Sequence, residues 1–159
     1  MNYLTTIYTD MRQYLVKLLP DAVNDVIRAY QNGIAMPKNA IIMTFIMEKR
    51  LDQLSAQVEN GVQTIFDSIQ GTMQIDCYGD KAHERAAKIC TMWQSSYTTD
   101  ILQDCQPLYA NDPKDLTYVN EKGQYELRFM TALELQYNRG YDVNIDTFTT
   151  IPNTELNNV

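Results

Sequence analysis

A regular alternation of apolar and polar side chains from Gln124 to Tyr137 is the feature that most restricts how this chain can fold. Side chains of a β-strand point to opposite faces in turn, so the alternation predicts one strand with an apolar face and a polar face. Fully extended, it would span roughly 46 Å at ~3.3 Å per residue. A compact chain of this length has a radius of gyration of about 15 Å, so the strand must cross the whole domain or project from it. The apolar positions are Tyr125, Leu127, Phe129, Leu133, Leu135 and Tyr137.

The residues before this strand predict its partner. Leu116–Val119 has strand character, and the sequence Asn-Glu-Lys-Gly at positions 120–123 is a turn signal. Together they predict a hairpin with one very long strand. A second long strand is predicted from Ile65 to Cys77, with a bulge at Gly71. Its apolar face consists of Ile65, Ile69, Met73, Ile75 and Cys77.

The remaining patterns predict helices and shorter strands. Apolar residues at helical spacing extend from Leu4 to Leu19, and Pro20 ends that helix. Strands are predicted at Val26–Ala29 and Ile41–Leu51, and a second helix follows Asp80, whose carboxylate is expected to cap its first turn. The intervening segments are predicted to be a polar connection at 52–61, a short helix at 100–105 and a loop without regular structure at 107–114.

These elements predict an α+β fold, in which a mixed, mostly antiparallel sheet with long hairpin strands packs against two or three helices. We expect residues 1–147 to form one domain, because neither a linker nor an internal repeat divides them. Residues 148–159 are polar and have no periodic apolar face. They are predicted to be a C-terminal tail or arm that does not pack by itself.

The charge balance and the lack of long apolar runs bear on partners. The chain of 159 residues has 20 acidic and 13 basic side chains, a net charge of −7. A surface of that sign repels phosphate backbones, which argues against specific nucleic-acid binding. Residues 1–20 lack a basic leader followed by an apolar run, and no stretch approaches about eighteen uninterrupted apolar residues. The sequence therefore predicts a soluble, cytosolic chain that does not enter a membrane.

The segment Gln74–Trp93, QIDCYGDKAHERAAKICTMW, is the natural place to look for metal or thiol chemistry, since it holds the only His and two of the three Cys. His83 and Cys90 lie two helical turns apart, about 10 Å at ~1.5 Å per residue, which is too far to share a metal ion. Cys77 and Cys90 fall on predicted apolar faces and are expected to be core residues. We therefore expect no metal, no other cofactor and no catalytic residue.

Other candidate motifs fail on spacing. Asp142, Asn144 and Asp146 imitate the start of a calcium loop, but Thr147 stands where that loop requires Gly and Asn153 where it requires Glu. The sequence contains neither a Gly-rich phosphate loop nor a GxSxG nucleophile motif. The 11 Tyr residues can either cover a sheet or contribute to contact surfaces, and the sequence leaves both alternatives open. The chain is not predicted to be an enzyme.

Four blocks of sequence occur in the order in which one protein family has them. On these blocks the chain resembles the neck or tail terminator proteins of tailed bacteriophages. The likeness covers most of the chain and is loose in the N-terminal helix and after Tyr141. The blocks are MPKNAIIMTFIMEKRLDQL (Met36–Leu54), MQIDCYGDKAHERAAKICTMWQS (Met73–Ser95), PLYANDPKDLTYVNEKGQYELRF (Pro107–Phe129) and LQYN (Leu135–Asn138).

The resemblance implies a virion structural protein that closes the head-proximal end of the tail tube as a ring, commonly of six copies. Its implied partners are further copies of itself, the tail tube protein and the head-side neck or connector proteins. DNA would pass through such a ring, and an acidic chain suits a channel to which DNA must not adhere. The implied location is the neck or tail of the virion, with assembly in the cytoplasm of the host bacterium.

The predicted strands that overrun the core nominate contact residues for subunits or partners. Two other functions stay open: a head-completion or tail-completion connector of similar fold, and, more distantly, a small cytosolic enzyme or ligand-binding protein with a pocket between sheet and helices. The candidate contact residues are Glu48, Arg50, Glu126, Arg128, Tyr141 and Phe148.

Overall fold

The computed structural model describes residues 2–145, which form three α-helices, one 3-10 turn and nine β-strands. The helices are α1 (Tyr3–Leu18), α2 (Ala82–Trp93) and α3 (Ser96–Ile101), and the 3-10 turn is Pro20–Ala22. The strands are β1 (Val26–Arg28), β2 (Ile41–Arg50), β3 (Ser55–Glu59), β4 (Val62–Tyr78), β5 (Gln106–Ala110), β6 (Lys114–Asp115), β7 (Tyr118–Val119), β8 (Tyr125–Glu126) and β9 (Arg128–Asn144).

Two strands of 17 residues each, β4 and β9, form the centre of the main sheet and pair antiparallel along their whole lengths. The strand order is β1-β2-β4-β9-β5, with β3 paired to the first part of β4 and β6 to the first part of β9. Of the described strand pairs, the pairing of β1 with β2 is parallel and the others are antiparallel. The predicted α+β fold with a mixed, mostly antiparallel sheet of long strands is confirmed.

Helix α1 forms where its sequence pattern predicts it. The Asn2 side chain accepts a hydrogen bond from the Thr5 amide at 3.2 Å, which satisfies an orphan donor of the first turn. Pro20 cannot continue the helix, because it has no amide hydrogen and its ring clashes with the preceding turn. The helix lays an apolar stripe on the sheet. The buried apolar residues of this stripe are Ile7, Tyr8, Met11, Tyr14, Leu15 and Leu18.

The core lies between the helices and one face of the sheet, which we call the helix face. Trp93 in α2 is fully buried there, with its ring edge-on to Tyr14 at a centroid distance of 5.6 Å. Its indole N–H donates to the backbone oxygen of Glu134 at 3.0 Å, so its polar atom is satisfied inside the core. The buried strand residues on this face include Ile41, Met43, Ile69, Met73, Ile75, Cys77, Leu133 and Leu135.

The opposite face of the sheet, which we call the open face, buries polar side chains. Thr44, Thr72, Asp76 and Glu134 are each at most 9% exposed. The Glu134 carboxylate accepts hydrogen bonds from Gln70 Nε2 and Thr72 Oγ1, both at 2.9 Å. Cross-strand side chains thus satisfy the buried carboxylate within the sheet itself.

A β-bulge in β2 orients the far end of that strand. Its register with β4 shifts between Phe45 and Met47, so that Phe45 and Glu48 both lie on the helix face. The predicted bulge at Gly71 is wrong, because the irregular pairing belongs to β2 and Gly71 pairs regularly with Leu135. Gly71 is small for a packing reason, since a Cβ atom there would lie 2.6 Å from Cζ of Phe45.

The start of α2 departs from the sequence prediction. Asp80 does not cap the helix, because the cap position is Lys81, which makes no side-chain capping bond. The buried Arg85 instead ties the helix to the chain after α1, donating to Asp21 at 3.1 Å and to Asp25 at 2.9 Å. Hydrogen bonds from Lys81 and Arg85 lower the pKa of Asp21 to about 2.

Three predictions for connecting segments are wrong. Strand β3 lies inside the predicted polar connection, and β5 and the start of β6 lie inside the predicted loop at 107–114. Helix α3 begins and ends earlier than the short helix predicted at 100–105. The reason for β5 is tertiary: the exposed edge of β9 offers backbone partners at Leu135 and Gln136. An edge strand tolerates a proline such as Pro107, so pairing overrides the local turn signal.

The predicted hairpin is shorter than expected. Strands β7 and β8 contain two residues each and form their own two-stranded sheet, while β9 pairs with β4. The alternating strand is long, as predicted, but it begins at Arg128 instead of Gln124 and extends beyond Tyr137 to Asn144.

Candidate assembly surfaces

The central sheet continues past its core as a three-stranded projection. Val62–Ser68 of β4 pairs with Asn138–Asn144 of β9 on one side, and its residues 62–66 pair with β3 on the other. Asn60 and Gly61 connect β3 to β4 with φ of 51° and 77°, as a two-residue type I′ turn requires. The hydrophobic core, as far as the described residues show it, contains none of these residues. We call this projection, β3 with those two strand segments, the arm.

A charged network holds the base of the arm. Arg139 donates to Glu48 at 2.9 Å through Nη1 and to Asp67 at 3.1 Å through Nη2. Arg50 donates to the other Asp67 oxygen at 3.1 Å, and the Tyr137 hydroxyl donates to Glu48. Burial and the hydrogen bond to Glu48 raise the pKa of Tyr137. The Asp67 side chain is 7% exposed, so its two arginine partners compensate a charge that would be costly if buried alone.

The N-terminal helix adds a second attachment. The Tyr3 hydroxyl donates to the Gly140 oxygen at 2.8 Å and lies 2.9 Å from the Gly140 amide nitrogen, which donates to it. The Tyr3 ring is edge-on to Tyr141 at a centroid distance of 6.1 Å. Gly140 has little room for a side chain, because a Cβ atom there would lie 3.2 Å from the Phe66 ring. The first turn of α1 is therefore hydrogen-bonded to β9 where the arm leaves the core.

One face of the arm is apolar and partly exposed. Ile65 pairs with Tyr141, and Gln63 lies between Val58 on one neighbouring strand and Val143 on the other. Cross-strand partners share a face, so Val58, Ile65, Tyr141 and Val143 continue the helix face beyond the helices. Val58 and Tyr141 are each 56% exposed and Val143 is 47% exposed. We call these four side chains the arm patch.

A second exposed surface lies at the opposite end of the β4–β9 pair. Strands β7 and β8 immediately precede β9, at the end where Tyr78 pairs with Arg128. Glu126 accepts a hydrogen bond from Asn120 Nδ2 at 2.9 Å, which closes the turn between the two strands. We call residues 116–127 the β7–β8 hairpin. Its exposed apolar side chains are Leu116, Tyr118, Val119, Tyr125 (80% exposed) and Leu127.

Five of the six predicted contact residues lie in the described part of the chain, and they separate into distinct places. Tyr141 belongs to the arm patch and Glu126 to the β7–β8 hairpin, whereas Phe148 lies outside the described residues. Arg128 donates to the buried Asp76 at 2.9 Å on the open face. Glu48 and Arg50 belong to the network at the base of the arm, so their charges are already compensated within the chain.

Apart from Tyr141, the apolar side chains that the two projecting elements expose, such as Val58 and Val119, are not among the predicted contact residues. One signal could have found the first of them. Asn60-Gly61 between two alternating segments is a strong hairpin signal, and it would have turned the predicted polar connection into β3 and its turn.

The Cys and His side chains of Gln74–Trp93 do not lie together in one site. His83 is exposed and lies edge-on to Phe129 at 4.9 Å. Cys77 is buried, as predicted, and burial raises its pKa to about 12. The prediction that Cys90 is a core residue is wrong: it is partly exposed, with Sγ 3.5 Å from the Asn111 oxygen. Among residues 2–145, no group of three His, Cys, Asp or Glu side chains is placed to hold a metal ion.

None of the helices within residues 2–145 combines the length and the apolar character needed to span a membrane.

A small core with two exposed apolar projections at opposite ends is typical of a structural subunit that docks to other protein chains. The particular family follows from comparison with known proteins. The sequence profile described as phage neck terminator protein matches residues 5–159. The chain belongs to this family and is a structural protein of the phage neck. No curated protein matches it at a significant level.

Proposed function

We propose that this protein forms a ring, of six copies, that closes the head-proximal end of the phage tail tube and joins it to the head-side neck proteins. The observation that carries the proposal is the match to the phage neck terminator family over residues 5–159. Membership in that family makes the chain a phage neck protein and implies contacts with other neck or tail proteins. The ring, its copy number and the identity of the two neighbours are the proposed part.

Two features of the fold support this role. A terminator needs one surface toward the tube and another toward the head, and the arm and the β7–β8 hairpin lie at opposite ends of one strand pair. That pair of 17 residues in each strand spans roughly 53 Å at ~3.3 Å per residue. Both ends expose apolar side chains, among them Tyr141 at 56% and Tyr125 at 80%. Exposed aromatic side chains are frequent anchors of protein interfaces.

The charge of the chain suits the same role. A ring at the neck must let DNA pass without binding it, and a net charge of −7 disfavours adhesion of a phosphate backbone. The role that we propose involves no catalysis and no cofactor. Assembly takes place in the cytoplasm of the host bacterium, before head and tail join.

The test is assembly with and without the protein. Tube protein polymerised in its presence should give capped tubes of limited length, and tube protein alone should give longer, open tubes. A phage that lacks the gene should make overlong tails that are not attached to heads. Addition of the purified chain to such a lysate should not restore tails that are already overlong, because capping must precede overgrowth.

The alternatives give different outcomes in the same phage. Heads that lose DNA while tails keep their normal length would favour a head-completion connector. Normal assembly of both heads and tails without the gene would refute a structural role in the neck. It would return attention to a ligand-binding pocket between sheet and helices.

A further inference from the structure

A groove runs between α1 and β1, the strand at one edge of the main sheet. Its volume is about 260 Å³, and its lining includes Tyr8, Arg12 and Arg28. Past Arg28 it continues into a second depression of about 370 Å³ that reaches Tyr30. None of the described residues that line either depression carries a carboxylate. We call the two depressions together the α1–β1 groove, and its charged side chains are the two arginines.

These arginines have no acidic partner among residues 2–145. Arg12 donates to the backbone oxygen of Val23 at 2.9 Å. The Arg28 guanidinium lies over the Tyr8 ring, 4.1 Å from its centroid. Both cations therefore keep donors for a further ligand, because a guanidinium has five N–H groups.

The acids closest to these arginines in the sequence are engaged elsewhere. Asp25 accepts a hydrogen bond from Arg85 at 2.9 Å. Asp10 is 3% exposed and accepts hydrogen bonds from the backbone amides of Gln103, at 3.0 Å, and Asp104, at 2.8 Å. The groove thus keeps uncompensated positive charge in a chain whose net charge is −7. A carboxylate from outside the chain is the chemical group that this charge attracts.

Tyr30 stands at the edge of the groove and is 93% exposed. Its φ of 61° is in the left-handed region, which a residue with a bulky side chain rarely adopts. The same connection between β1 and β2 also exposes Ile34 (52%) and Met36 (50%). Strained backbone is frequent where a protein contacts a ligand, and exposed aromatic rings are frequent anchors of protein interfaces. The edge of the groove is therefore suited to a protein partner.

We propose that the α1–β1 groove binds an acidic segment of a different neck or tail protein. Carboxylates of that segment meet Arg12 and Arg28, and an apolar side chain beside them covers the ring of Tyr30. Pairs of arginine and carboxylate are charge-assisted and can be bidentate, which gives the contact specificity as well as strength. Membership in a neck protein family implies contacts with other proteins of the neck or tail. The inference rests on the proposed function only in this respect.

The first test identifies what lies against the groove. A photo-crosslinking phenylalanine analogue replaces Tyr30 in the full-length chain, which is produced in cells infected by the phage. Illumination of these cells should join position 30 to a segment of a different virion protein that is rich in Asp and Glu. The groove variant, Arg12→Glu with Arg28→Glu, should reduce the yield of this cross-link at least about tenfold, because it brings like charges together.

The second test exchanges the charges of the two proteins. The groove variant alone should lower plaque formation by the phage. Replacement of the partner's carboxylates nearest to the cross-link by Lys should restore plaque formation in that phage, because the opposite charges then face each other again. The same Lys replacements in a phage with the wild-type groove should lower plaque formation.

A matched control reverses two cations elsewhere. Lys17 and Lys88 are exposed on α1 and α2 and form no salt bridge within residues 2–145. Lys17→Glu with Lys88→Glu should leave the yield of the cross-link within about twofold of wild type. The milder pair Arg12→Gln with Arg28→Gln guards against misfolding of the groove variant. It should keep the wild-type melting temperature and still reduce the cross-link, though less than full reversal does.

Four results would overturn the proposed contact. The first is the absence of a cross-link to any other protein, and the second is a cross-link to a second copy of this chain or to its own residues 148–159. The third is a cross-linked segment without acidic residues. The fourth is a folded groove variant whose cross-link and plaque formation match those of wild type. None of these results refutes the terminator role, which the tube-length and gene-deletion assays measure separately.

Discussion

The two halves of the β4–β9 strand pair share one continuous ladder of backbone pairing, but they differ in how far their apolar side chains are buried. In the core half, Ile69–Tyr78 pairs with Arg128–Tyr137, and side chains such as Met73 and Ile75 are completely buried under the helices. In the arm half, Val62–Ser68 pairs with Asn138–Asn144, and the largest side chains remain exposed. The change from one half to the other occurs at the Glu48–Arg139–Asp67–Arg50 network.

This difference shows how a small domain can extend a sheet beyond its core. A fully buried side chain of the core half contributes about 1.5–3 kcal/mol to the free energy of folding. The arm lacks that contribution, and a hairpin without it is only marginally stable in water. The arm must therefore be ordered by three other interactions: the strand pairing that continues from the core, the charged network at its base, and the hydrogen bonds between Tyr3 and Gly140. Its apolar face remains available to a partner.

The largest effect is expected in the core half. Trp93→Ala should lower the free energy of unfolding by about 3–5 kcal/mol, because it leaves a large cavity and removes the hydrogen bond to the Glu134 oxygen. Urea unfolding, monitored by circular dichroism, measures this change in the free energy of unfolding. Tyr141→Ala in the arm is the matched aromatic truncation and should cost less than about 1 kcal/mol. Equal losses for the two variants would show that the arm belongs energetically to the core.

A smaller effect is expected at the junction. Arg139→Met removes one of two cationic partners of the buried Asp67 and the only one of Glu48 within residues 2–145. We expect a loss of about 1–3 kcal/mol in the free energy of unfolding. Amide hydrogen exchange should accelerate in β3 and Asn138–Asn144 and stay unchanged in the core half of β4.

Lys122→Met in the β7–β8 hairpin is the control for removing an exposed cation and should change the free energy of unfolding by less than about 0.5 kcal/mol. Exchange that accelerates equally in both halves after Arg139→Met would contradict the separation of the two regions.

The smallest effect is expected beyond the arm. Deletion of residues 148–159 should change the free energy of unfolding by less than about 0.5 kcal/mol, because the segment is polar and has no periodic apolar face. The melting temperature of the truncated protein measures it, and tube capping by the same protein reports whether the segment contributes to contacts. A truncated chain that melts many degrees lower, or is recovered only as insoluble protein, would place the segment in the fold.

The long elements of this protein could be predicted from its sequence because their signals are local. The helical periodicity of α1 and the strand alternation of β4 and β9 extend over many residues, so a few residues that break the pattern do not obscure it. The same alternation predicted a strand that crosses the whole domain or projects from it. The segment that projects, Asn138–Asn144, lies beyond the alternating residues 124–137. The α+β fold follows from those elements.

The candidate assembly surfaces could be predicted only in part. Tyr141 is a predicted contact residue and lies in the arm patch. Glu48 and Arg50 are also predicted contact residues, but Glu48 is bound to Arg139 and Arg50 to Asp67. A sequence shows that a residue is charged, but the partner of that charge can lie some ninety positions away in the chain. The pairing of Glu48 with Arg139 is such a case.

Tertiary structure alone decided the features that depend on contacts between distant segments. Pro107 lies in a strand because the edge of β9 offers it backbone partners, and the bulge lies in β2 because that strand must keep both Phe45 and Glu48 on the helix face. The groove that Arg12 and Arg28 both line also exists only after folding, since these residues come together when α1 packs against β1. Periodicity records which face of an element is apolar. Which element lies against that face, and which faces stay bare, depends on the packing of the whole chain.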